Sequence, residues 1–112
     1  MKIYGVDTSK KVTPIMARDA IVECFTKAHQ ESLDEMIRED IHDKKNIDRL
    51  KKMKIRFIIE AKFAEVGDDF NQPTKVGVIR VMDALAEYAS NFRNDMIIKK
   101  HHDEIMKIVK LM

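Results

Sequence analysis

Apolar residues recur at intervals of three and four along nearly the whole chain, and only three Gly and two Pro interrupt them. That spacing matches one face of an α-helix, where residues i, i+3, i+4 and i+7 share a side. An all-β chain needs turn residues at intervals of about 8–12 positions, and this sequence does not supply them. The fold class is therefore all-α. A chain of 112 residues fits one domain, residues 1–112, and a bundle of that size buries a core without disulfide or metal staples.

Capping residues divide the pattern. Residues 1–12 form a short non-helical N-terminal lead-in, in which Ile3, Tyr4 and Val6 make a brief strand or lie against the helices. Thr13-Pro14 pairs a capping hydroxyl with a proline at the first helical position, and predicts a helix over about 14–41. Val22, Phe25, His29, Leu33 and Met36 fall on one of its faces. Asp43 is the expected cap of a second helix, about 44–66, with a stripe of Ile47, Leu50, Phe57, Ile58, Ala61 and Ala64. Gly67 sits where a helix end wants a positive φ.

Pro73 restarts the chain at a first helical position, and predicts a third helix over about 73–92. Val78, Val81, Met82, Leu85, Tyr88, Ala89 and Phe92 line one side of it, with Arg80, Asp83, Glu87 and Asn91 on the other. The fourth helix, about 95–111, groups Ile97, Ile98, Ile105, Ile108 and Val109. At about 100° per residue that face is rotated by roughly 160° from the face of the third helix. The two therefore cannot continue straight into each other, and Asn91 to Asp95 is the expected break. The rival arrangement is one long helix shared between two subunits. Short connections favour antiparallel neighbours, so the predicted architecture is an antiparallel four-helix bundle, up-down-up-down.

Function is constrained mainly by exclusion. The net charge is +2, so binding to polyanions must rest on a local patch. Cys24 is the single cysteine, which rules out an internal disulfide and a CxxC metal motif and suits a reducing cytoplasm. The lead-in has no apolar run of signal-peptide length, and no segment has membrane-spanning length. Abundant Ile, Lys and Met with no Trp fits an AT-rich or heat-adapted prokaryote or archaeon. No P-loop, GxGxxG, GxSxG, HExxH or EF-hand motif occurs. The expectation is a non-enzymatic protein with no cofactor.

Three sets of residues are candidates. The second helix carries a further apolar stripe, Ile55, Ile59, Phe63 and Val66, more than one buried face requires. It packs beneath the lead-in or forms a subunit interface, and the surplus of apolar surface favours a homodimer. Lys45, Arg49, Lys52 and Arg56 form a basic row that matches the phosphates of a nucleic acid. Its competitor is neutralisation by the acidic end of the first helix: Glu31, Asp34, Glu35, Glu39, Asp40 and Asp43. His29 and His101 lie on apolar faces, and Glu60 is at the margin of another. Together they are the candidate metal or small-ligand site, against the plainer role of buried histidines with hydrogen-bond partners. Cys24 reads as a small core hydrophobe, and Asp68-Asp69 as loop and cap residues.

Overall fold

A computed structural model describes residues 2–38, 44–89 and 95–112. The expected end of the first helix past 38, the Asp43 cap and the break before Asp95 fall on residues 39–43 and 90–94, outside the described residues. The all-α class holds. Among the described residues there are five helices and one two-stranded hairpin.

The lead-in is that hairpin, β1 Lys2–Ile3 and β2 Val6–Asp7, antiparallel with Ile3 opposite Val6. Its two-residue loop, Tyr4 and Gly5, has φ of 49° and 77°. A type I′ hairpin turn requires positive φ at both positions. Gly5 adopts it freely, whereas Tyr4 does so at a cost of about 1–2 kcal/mol, so its side chain must be held by its surroundings.

Thr13 caps α1, Pro14–Arg38: its hydroxyl accepts from the Met16 N–H at 3.3 Å and its carbonyl from the Ala17 N–H at 3.0 Å. The expected second helix is two helices, α2 Lys44–Lys52 and α3 Ile55–Glu65, separated at Lys54, which is extended at φ −104° and ψ 104°. On one straight helix Ile47 would lie roughly 120° from the centre of the Ile55, Ile59, Phe63 face. The break lets Ile47 become half-buried while the α3 face turns fully inward.

Gly67, at φ 77°, ends α3 as expected. Its N–H donates to the Ala64 carbonyl at 3.1 Å and the Asp68 N–H to the Phe63 carbonyl at 2.9 Å, a Schellman cap. The next helix, α4 Lys75–Ala89, is capped by Thr74, whose hydroxyl oxygen accepts from the Gly77 N–H at 3.0 Å. Pro73 thus precedes the cap instead of taking the first helical position. The Asp68 carboxylate accepts from the Thr74 N–H at 3.1 Å and lies so close to Gly77 that a Cβ there would overlap it.

The central element is α1. It packs against α3, α4 and α5 (Asp95–Val109), and α4 also packs against α3 and α5. Ala17, Ala20, Ile21, Cys24, Phe25 and Ala28 line its inner side, and the small residues among them allow close approach. Facing them are Ile55, Ile59 and Phe63 of α3, Val78, Val81, Met82 and Leu85 of α4, and Ile105, Ile108 and Val109 of α5. No helix among the described residues is long and apolar enough to cross a membrane.

The stripe expected to be surplus lies inward, and the other is split, with Ile47 and Ile58 half-buried. Ile55, Ile59 and Phe63 are buried in the core of a single chain, and Val66 is half-buried against it. They are not an outward interface. From the stripe assigned to the core, Phe57, Ala61 and Ala64 are exposed, Phe57 to 59%. The physical reason is side-chain size. One stripe holds two Ile, a Phe and a Val, the other spends two positions on Ala, and burial free energy follows apolar area.

Candidate functional site

A series of polar groups centred on the buried His101 lies where the hairpin meets α1 and α5. Tyr4, at the hairpin tip, brings its Oη to 2.6 Å from His101 Nδ1 of α5, with the rings tilted at 40°. His101 Nε2 lies 3.1 Å from Glu31 Oε1 of α1, at ion-pair distance but off the line of a hydrogen bond. The Cys24 thiol of α1 donates to the His101 backbone carbonyl at 3.4 Å. Lys27 Nζ stands 5.5 Å from the centre of the Tyr4 ring. A phenol donating to Nδ1 leaves the proton on Nε2, facing the carboxylate, which assigns the tautomer of the neutral ring.

A hydroxyl, an imidazole and a carboxylate in series have the order of an activated nucleophile and its base. The electrostatics run the other way. Burial, with Cys24 and Glu104 nearby, pushes the Tyr4 phenol above its ordinary 10.0. Burial pushes the Cys24 thiol from 9.0 up to about 12, opposed by the hydrogen bond with Tyr4 and by Lys27 and reinforced by Glu104. Both groups are neutral near pH 7, so neither is a poised nucleophile. The arrangement serves as a latch. It gives Nδ1 of a buried histidine its partner and ties residues 97 positions apart.

The expected metal site does not assemble. His29 and His101 are both buried, but Glu60 on α3 is paired with Arg56 at 3.2 Å. Among the described residues no three His, Cys, Asp or Glu side chains come together in a way that fits a metal. His101 has Tyr4 at one ring nitrogen and Glu31 at the other.

The basic row is divided by the break at Lys54. Lys45, Arg49 and Lys52 are exposed on α2. Arg56 belongs to α3, and its guanidinium lies 5.3 Å from the centre of the Phe70 ring, which Arg18 approaches at 4.8 Å. Arg56 thus helps hold the loop that carries Phe70, which itself meets Phe63 edge-on at 5.7 Å.

Two features escaped the sequence. Tyr4 has a local signal, an aromatic beside Gly in a lead-in, but nothing local names His101 as its partner. Phe57 faces outward although its spacing places it on an apolar stripe, because periodicity does not record how much area each stripe buries. Comparison with protein-family models finds no match, and neither the curated proteins nor the solved structures yield a similar chain.

Proposed function

We propose that this protein is a non-enzymatic helical interaction module that self-associates as a homodimer through the outer face of α3. The carrying observation is Phe57, 59% exposed, with the exposed Ala61 and Ala64 one and two turns further along. The opposite side of α3 is already occupied by the core, so this strip is surplus apolar surface. Large aromatic side chains flanked by small ones are typical anchors of interfaces.

A stable interface buries about 800 Å² per partner, more than a helix of 11 residues presents on one side. The contact therefore extends onto α4, the neighbour of α3, whose Val76 and Ile79 are also exposed. The frame is the up-down-up-down bundle with its second helix broken at Lys54. The setting is the cytoplasm, which a single buried thiol suits.

Light scattering over a range of concentrations tests this. The expected mass is twice 13.1 kDa for the unmodified chain, and half of that for Phe57→Asp with its helical circular dichroism unchanged. A monomer at high micromolar concentration overturns the proposal.

A further inference from the structure

The near-neutral total charge conceals a strong local excess. In its nine residues α2 has five bases, Lys44, Lys45, Arg49, Lys51 and Lys52, and one acid, Asp48. Five minus one is +4, against +2 for the whole chain, so the remainder is net −2. All six of these charged residues are exposed, and so is Lys54 just beyond.

Local physics does not favour this arrangement. Lys44 and Lys45 stand at the positive end of the helix dipole, with no acid in the first turn. Lys45 and Arg49 are like charges at i,i+4. Three cations elsewhere are matched by acids close in sequence: Lys27 with Glu23 at 3.2 Å, Arg56 with Glu60 at 3.2 Å and Lys62 with Glu65 at 3.1 Å. Arg49 has interactions of its own. Lys44, Lys45, Lys51 and Lys52 form no ion pair among the described residues. Two of the acids expected to neutralise them are turned elsewhere: Glu31 to His101 at 3.1 Å, and Asp34, which accepts from the Gln30 amide at 2.9 Å.

We infer that the outward face of α2 binds the phosphodiester backbone of double-stranded nucleic acid without regard to sequence. Duplex DNA has about one negative charge per 1.7 Å of axis, a density that rewards closely set lysines. Single strands are bound by stacking on aromatic side chains, and α2 has none. A bilayer-bound helix inserts its apolar face, but α2 packs against α1 and Ile47 is half-buried, and the exposed side chains described on α2 are all charged. This inference is independent of self-association through α3.

The test is fluorescence anisotropy of a short labelled duplex of mixed sequence, in DNA and in RNA form, titrated with the full chain at several salt concentrations. Four lysines engaged on phosphates give a slope of about −3.6 in log affinity against log salt, and so roughly a hundredfold weakening between about 50 and about 200 mM. Replacing Lys44, Lys45, Lys51 and Lys52 by Gln, a good helix former, abolishes most of the affinity and flattens the slope. Replacing the same four by Arg preserves both. Replacing Lys10, Lys11, Lys75 and Lys110 by Gln removes equal charge from other exposed positions and leaves binding within a few-fold.

Binding of either duplex with this pattern supports the inference. Three results overturn it: no binding at about 50 mM salt, where the electrostatic term is strong; equal loss from the two Gln sets; and binding to phosphatidylserine vesicles or single strands but not to duplexes.

Discussion

Replacing Tyr4 by Phe isolates the latch. The substitution keeps the aromatic ring and the positive φ at the hairpin tip, and removes only the hydroxyl 2.6 Å from His101 Nδ1. His101 is 5% exposed, and its other nitrogen, Nε2, already lacks an aligned hydrogen bond. Without the phenol, Nδ1 becomes a buried acceptor with no donor, which costs about 1–3 kcal/mol. A chain of 112 residues unfolds with an entropy of about 235 cal/mol/K, so the melting temperature should fall by roughly 4–13 °C. Differential scanning calorimetry at neutral pH measures it. A double-mutant cycle supplies the control: Tyr4→Phe should cost much less in a His101→Leu background, because no orphaned nitrogen remains. If Tyr4→Phe melts within 1 °C of the parent (inside ~0.3 kcal/mol), or costs the same in both backgrounds, the hydroxyl does not hold the hairpin.

Three further outcomes follow from the packing. Ile59→Asp puts a charge where the side chain is 0% exposed. It should unfold the chain at any concentration, and a folded Ile59→Asp protein by circular dichroism would contradict the assignment of that stripe to the core. Gly77→Ala should destabilise by about 1–3 kcal/mol despite the better helix propensity of Ala, since its Cβ meets the Asp68 carboxylate; urea titration should find part of that loss recovered when Asp68→Ala is added. The folded state holds the Cys24 proton from 9.0 up to about 12 and the Tyr4 proton above 10.0. That stability is complete below about pH 9 and is lost as pH rises through the folded values. Melting temperature should therefore decline from pH 9.0 upward, and Cys24→Ala should delay the onset toward the ordinary tyrosine range near 10.0; identical profiles for the two proteins would refute the coupling.

Much of the fold is local in origin. Thr13 before Pro14 starts α1, and Gly67 with positive φ stops α3, because both act through hydrogen bonds reaching no further than about one turn. Val78, Val81, Met82 and Leu85 face inward as their spacing predicts, since they form the i, i+3, i+4, i+7 row of α4. The break at Lys54 has no such signal. No Gly, Pro or side-chain cap marks it, and it arises because the apolar faces on its two sides must both find α1.

Local spacing and capping residues suffice for the helical class, for several helix ends and for the buried row of α4. Those properties depend on neighbours within about four residues. Packing between distant segments selects which of two stripes on α3 turns inward, and it joins Tyr4 to His101 across 97 positions. Both outcomes depend on total apolar area buried and polar groups satisfied among distant segments, and periodicity along one helix records neither.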